Sequence, residues 1–463
     1  MIHIVLSIIF FYFLLNYPSQ LSPEESLSYN VLLVSFLLIG ASLSSLKLRN
    51  KIDLFEPVTM VFFVSIFLFV ISPMIFLIRH DTSIDGYYMF RGCTNGTILY
   101  TISFFIFLFG YYKKKYTRQT SSKTNVLANQ SKSSIKRILR FSYIGWSICF
   151  AFSLIYYTFG AGMSLSYILT LAMGGSDPTL YIDTPLRFLI NFSWSMIPFY
   201  IYIMIYSENK ILKILLTLYT AAIYLMGGNR FIFIVLFGGL FVVNYILKNK
   251  RPTIRQISAV LIVLVIFFVG LGFARDGIRS GGGFSFSSFN PTEELYTTFR
   301  TNTNIVMPYY CIVDKMPSEF SHSWGYGYFI EPLVYFLPRF LFPWKPGLES
   351  ADIVLAMNNC TGFEICQTNG MATPYFSELY IEFGILGCFV GMFLFGVLLR
   401  RLKVLYVNKN SDVHNVILYS LLYTALFQFM NRGYMAMNVY LILFLIIPVY
   451  IIKPKTKKYI DYE

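Results

Sequence analysis

Apolar runs long enough to cross a bilayer recur from one end of the chain to the other. A hydrocarbon core is spanned by roughly 17–25 apolar residues in helical form. Stretches of about that length fall near 3–17, 29–46, 56–78, 95–112, 141–160, 187–206, 211–228, 231–247, 256–274, 377–399, 414–430 and 434–452. Most connections between them are short. The exception is the segment from Arg275 to Thr373. The first run, Ile4 to Leu15, lacks the basic n-region and small-residue cleavage site of a secretory signal, so it predicts a retained first helix.

This pattern predicts an all-α polytopic membrane protein with about 12 transmembrane helices. Composition agrees. Of 463 residues, 56% are hydrophobic and 13% charged, with 47 Phe and 36 Tyr. A soluble domain carries about 25% charged residues. The chain divides at the long segment: 1–274 holds helices 1–9 and a basic loop at 113–140, 275–373 is the long connection, and 374–463 holds helices 10–12 and a basic tail.

The net charge of +14 is topological. With the N-terminus inside, the inner connections hold 26 of the 37 Lys and Arg residues: three at 47–51, nine at 113–140, two at 210–213, and four each at 248–255, 400–409 and 453–458. By the positive-inside rule both termini are then cytoplasmic and Arg275–Thr373 is periplasmic. The Ser/Thr/Lys/Asn-rich stretch from Lys113 to Arg140 reads as an inner loop drawn to anionic membrane lipids. It gives no reason to expect a nucleic-acid partner.

The outer segment is not polar filler, and long connections of this kind are usually functional. Its Gly281-Gly282-Gly283 lead-in precedes a helix predicted from Pro291 to Phe299, with Thr292 as N-cap. Tyr328 to Phe342, broken by Pro332 and Pro338, predicts short amphipathic helices in the membrane interface.

Eleven basic residues fall outside against the charge bias, and nine are Arg: Arg79, Arg91, Arg187, Arg230, Arg275, Arg279, Arg300, Arg339 and Arg432, with Lys315 and Lys345. The planar guanidinium suits two-point recognition of phosphate. For any one of them, ordinary interfacial anchoring is the stronger reading. Arg230 and Arg432 differ, because each sits in a turn of about three residues between two helices, Gly228-Asn229-Arg230 and Asn431-Arg432-Gly433. The fitting ligand at this face is a lipid-linked phosphate or pyrophosphate. Few ionisable residues fall at mid-helix, which disfavours an ion-coupled transporter.

Helix 10 opens as Thr373-Pro374-Tyr375-Phe376-Ser377-Glu378-Leu379-Tyr380-Ile381-Glu382-Phe383-Gly384. Glu378 and Glu382 are four apart and share a helical face. A carboxylate there is costly unless paired. One of them, Glu378 foremost, could act as a general base toward a sugar hydroxyl. An ion pair or a favourable interaction with a helix N-terminus are the structural alternatives. His322 is a weaker base candidate. Cys360 and Cys366 both fall outside, where an oxidising compartment permits a disulfide. The cysteine spacing gives no metal site. Gly325-Tyr326-Gly327 follows no strand and is discounted as a nucleotide fingerprint.

Several of these features, in order, resemble the Wzy-type O-antigen polymerases, the oligosaccharide repeat unit polymerase family. They are Gly227-Gly228-Asn229-Arg230 at a hairpin tip, the long outer loop with Leu337-Pro338-Arg339-Phe340-Leu341-Phe342-Pro343-Trp344-Lys345-Pro346, the Thr373 to Gly384 entry into a helix, and the Arg432 hairpin. One family pattern, an Arg followed eleven positions later by Gly, is absent: Arg275 leads to Phe286 and Arg300 to Cys311.

The resemblance implies a GT-C-like glycosyltransferase of the bacterial inner membrane with a periplasmic active site. It would polymerise undecaprenyl-pyrophosphate-linked repeat units, with donor and acceptor both lipid-linked and no cofactor. Arg230, Arg300 and Arg432 would hold the pyrophosphate, and Glu378 would take the acceptor proton. Arg339, Lys345, Tyr380, Glu382, Trp344 and His322 would contact substrate, and Trp324, Tyr326 and Tyr335 would offer rings to sugars. A chain-length regulator and a flippase of the same pathway are the implied protein partners. An O-antigen ligase shares the architecture. A lipid-linked oligosaccharide flippase is the third reading, but it has no need of the long outer loop.

Overall fold

The computed structural model describes residues 2–18, 21–49, 53–81, 83–84, 87–88, 90–113, 131–160, 186–226, 230–253, 290–319, 321–335, 373–407 and 412–453, with shorter pieces at 255–257, 259, 262–263, 266, 269–270, 337 and 341–342. The apolar runs fold as helices because a helix satisfies its own backbone groups where lipid offers no partner. They are α1 (Ile2–Leu15), α2 (Pro23–Arg49), α3 (Pro57–Ile78), α4 (Phe90–Tyr112), α5 (Lys132–Ile155), α6 (Phe192–Tyr206), α7 (Lys210–Met226) and α8 (Arg230–Leu247). After these come α9 (Pro291–Thr303), α10 (Val306–Lys315), α11 (Tyr326–Phe329), α12 (Glu331–Tyr335), α13 (Tyr375–Val407), α14 (Val413–Asn431) and α15 (Met435–Ile452). The one sheet among the described residues is a two-residue antiparallel ladder, Ser83–Ile84 with Tyr87–Tyr88.

Eight of these helices are long and apolar enough to cross a membrane, and α1 and α8 contain shorter apolar stretches. They fall on predicted runs, as does α7. The run at 256–274 lies largely outside the described residues.

Packing divides the chain into two compact units. The first contains residues 1–118, 288–404 and 426–439; the second contains 119–287, 405–425 and 440–463. In the first, helices approach closely at glycines. A Cβ on Gly110 would lie 2.4 Å from the Phe393 carbonyl oxygen, and one on Gly396 would lie 2.3 Å from that of Phe107. Small residues at such crossings let backbones meet where no hydrophobic effect drives association. In the second unit, buried side-chain hydrogen bonds link the helices: Trp146 Nε1 donates to Thr220 Oγ1 at 3.0 Å and the Tyr224 hydroxyl to Ser193 O at 2.7 Å.

Part of the long segment belongs to the core. Val306 to Ile312 of α10 are buried against α4, and the Tyr309 hydroxyl donates to Gly96 O at 2.7 Å. Ahead of it, the N-cap of α9 is Asn290 rather than the expected Thr292: its side chain accepts from the Thr292 N–H at 3.1 Å. Pro291 explains the shift, because proline is favoured at the first helical position and Asn is among the strongest caps.

Candidate functional site

The candidate site forms where α13 begins, within the first unit. Gly384 breaks this helix with φ +64° and ψ −153°, a conformation open essentially to glycine alone. Tyr375 to Phe383 is therefore a short helical piece of its own, and it carries Glu378 and Glu382 one turn apart. A break leaves upstream carbonyls in need of other donors. Ile381 O accepts from the Ser323 N–H at 3.1 Å and lies 3.3 Å from His322 Nδ1. A carbonyl can only accept, so Nδ1 is the donor in this contact. A Cβ on Gly384 would stand 2.9 Å from His322 Nε2, so the glycine also makes room for the imidazole.

Both carboxylates are fully buried, and they are held differently. Glu378 Oε1 accepts the Met435 N–H at 3.0 Å. Met435 opens α15, so this amide has no acceptor within its own helix and carries the positive end of the helix dipole. Glu378 Oε2 is buried with no hydrogen-bond partner among the described residues. Glu382 Oε2 accepts the Gly325 N–H at 2.9 Å, and Oε1 accepts the Gly327 N–H at 3.1 Å.

Gly327 lies between the two acids. A Cβ there would sit 2.4 Å from Glu382 Oε1 and 3.7 Å from Glu378 Oε1. A third buried carboxylate, Glu331, bears electrostatically on Glu378. Burial pushes the Tyr328 phenol well above its usual range, and the Glu378 charge adds to the shift. Among the described residues no group of three His, Cys, Asp or Glu side chains has the geometry to hold a metal ion.

The turn carrying Arg432 is fastened to the same piece of helix. Gly433 N–H donates to Thr373 O at 2.8 Å, and two residues on Met435 reaches Glu378. A Cβ on Gly433 would be 2.4 Å from Tyr375 Cα, so the backbones touch here. Arg432 itself is exposed, and its carbonyl oxygen accepts Asn438 Nδ2 at 2.7 Å. Tyr380 is buried and donates to Met316 O at 3.1 Å. The fold thus gathers Glu378, Glu382, His322, Tyr380 and the Arg432 turn.

The remaining expected residues divide into three cases. Arg300 is tied up by Asp81, Nε to Oδ2 at 2.5 Å and Nη2 to Oδ1 at 3.2 Å, with Tyr296 donating to the same Oδ2 at 2.9 Å. Burial by itself would raise the Asp81 pKa, but the Arg300 and Tyr296 hydrogen bonds outweigh it and hold the carboxyl below its usual range. Arg230 opens α8 in the second unit, and its side chain lies outside the described residues. So do Arg339, Trp344, Lys345, Cys360 and Cys366.

The family model for O-antigen polysaccharide polymerase Wzy matches residues 1–459. The chain belongs to the Wzy family. No curated protein and no solved structure matches it. Family and apolar helices together make it a multi-pass membrane protein of polysaccharide biosynthesis, of the glycosyltransferase-like O-antigen polymerase kind.

In the sequence of this Wzy family member the partners of the two acids are not legible. Gly325 and Gly327 were a usable signal, since glycines two apart beside a tryptophan mark a close backbone approach. Their acceptor, Glu382, is 55 residues beyond Gly327, and no local pattern links them.

Proposed function

We propose that the protein is a polymerase of undecaprenyl-pyrophosphate-linked repeat units, working at the periplasmic face of the bacterial inner membrane. The observation that carries the reading is Glu378: a fully buried carboxylate with one oxygen fixed by Met435 N–H and the other without a partner among the described residues. Such an oxygen is held in place for a proton.

In the proposed reaction a hydroxyl oxygen of the incoming lipid-linked repeat unit attacks the anomeric carbon of the growing glycan. The bond from that carbon to the pyrophosphate oxygen breaks, and the pyrophosphate leaves with the electron pair. Glu378 takes the hydroxyl proton. Arg432 is exposed three residues before Met435, which supports a role in neutralising the leaving charge. Arg230 is proposed for the same task from its hairpin position in the sequence. Arg300 is the weaker candidate, because Asp81 already engages it. Arg339, Lys345 and Trp344 are proposed to contact lipid-linked substrate. The topology that goes with this reading has about 12 spans, cytoplasmic termini, and 275–373 outside as the segment over the donor lipid. A chain-length regulator and the pathway's flippase remain proposed partners.

The test is deletion of the gene followed by analysis of surface polysaccharide. The polymerase reading expects a lipid core bearing a single repeat unit. Bare core with accumulated lipid-linked polymer would identify a ligase, and unchanged long chains would end the polymerase reading.

A further inference from the structure

The turn from Ser321 to Gly327 carries features that the proton transfer leaves unexplained. Trp324 holds φ +51°, a left-handed conformation rare for a bulky residue, and Gly325 follows at φ +93°. Trp324 is 74% exposed. Bulky residues persist in such a conformation only where surrounding structure over-determines them, and they concentrate at ligand sites. Here the determinant is visible. Glu382 accepts both Gly325 N–H and Gly327 N–H, a two-point clasp directly after the tryptophan. Ser323 N–H on Ile381 O closes the other side.

The surroundings of the indole indicate its ligand. Its neighbours along the chain are Ser321, His322, Ser323 and Gly325, with Tyr326 beyond. The His322 ring stands edge-on 6.0 Å from Trp324 and 5.6 Å from Tyr380, which lies on the same short helical piece as both acids. An exposed aromatic face beside an imidazole, on a turn rich in serine, matches a pyranose ring, whose C–H face packs on the π-system while its hydroxyls hydrogen-bond to the rim. The exposed apolar side chains Phe329 and Leu333 belong to α11 and α12, and exposed Ile330 lies between those helices.

We infer that Glu382 is a positioning residue, whose clasp on Gly325 and Gly327 holds Trp324 as a stacking platform for a sugar ring of the acceptor repeat unit. This rests on the polymerase reading above. It divides the two acids: Glu378 handles the proton, and Glu382 sets where the acceptor glycan lies. It also explains Gly327, since a Cβ there would collide with Glu382 Oε1.

The experiment uses full-length protein in lipid nanodiscs and the lipid-linked repeat unit extracted from cells lacking the gene, with chain growth measured against substrate concentration. Trp324→Ala raises KM about tenfold, with kcat within about twofold, and Trp324→Phe recovers most of the loss. Glu382→Gln and Gly327→Ala show the same KM-dominated signature, since each breaks the clasp. If Glu382→Gln folds poorly, truncation of the exposed Trp324 still decides the matter. An unmoved KM in Trp324→Ala overturns the inference, and so does a loss confined to kcat in Glu382→Gln. Reduced membrane abundance of Trp324→Ala with unmoved KM identifies a bilayer anchor instead. Wild-type chain growth beside any of these leaves the polymerase reading standing. No growth by the wild-type protein removes both.

Discussion

Glu378 Oε1 lies 3.0 Å from the backbone nitrogen of Met435, so a carboxylate from the start of one helix takes up an orphan amide at the start of another. The contact joins two stretches that are separate features in the sequence, the Glu378–Glu382 face and the Arg432 hairpin. With Gly433 N–H on Thr373 O, it brings the expected base and an expected phosphate arginine into one local structure.

Arg432 is expected to act through its charge and fork geometry. Arg432→Ala should abolish chain extension, Arg432→Lys should restore only a small part, and neither should lower membrane abundance, because the side chain is exposed. Polysaccharide ladders with matched immunoblots check this. A wild-type ladder from Arg432→Ala would remove the charge-neutralising role.

The Arg300–Asp81 pair is expected to be structural. Arg300→Ala, Asp81→Ala and the double variant should form a non-additive cycle in thermal unfolding, with a coupling of at most about 1 kcal/mol, because both side chains retain solvent contact. Polymerisation should fall by less than about tenfold in each. A loss of several orders of magnitude in Arg300→Ala alone would return it to the catalytic group.

The same pair sets an acid dependence. Asp81 has its folded pKa below the unfolded value, so its contribution is full above the unfolded pKa and disappears as pH falls through the folded one. Unfolding temperature measured downward from neutral pH should drop less steeply in Asp81→Asn than in the wild type. Parallel curves would contradict this.

The crossing of α4 and α13 should tolerate no added methyl. Gly110→Ala and Gly396→Ala each force a Cβ to within 2.4 Å and 2.3 Å of a carbonyl oxygen, and overpacking of this kind costs about 1–3 kcal/mol. Lower unfolding temperature in detergent for both, with residual activity in the fraction that folds, is the expected result. Unchanged stability would show that the crossing can relax.

What the sequence made legible follows from the range of each interaction. Long apolar runs declare helices by themselves, and the four-residue spacing of Glu378 and Glu382 declares a shared face. The break at Gly384 was hidden because glycine is common in membrane helices, and only the φ value separates a kink from a packing glycine. Helix α10 was hidden because Val306–Lys315 is too short to read as a span, though it is buried like one. The different duties of the two acids were hidden because their partners, Met435 and Gly325, lie 57 residues away in opposite directions.

The most direct measurement is the rate of chain growth by purified Glu378→Gln on extracted lipid-linked repeat unit. The substitution keeps shape and an oxygen for Met435 N–H while removing the proton-accepting charge. The proposed role predicts a kcat lower by about 10²–10⁴-fold at nearly unchanged KM and unfolding temperature. A wild-type kcat in this variant would contradict the assignment of Glu378 as the base.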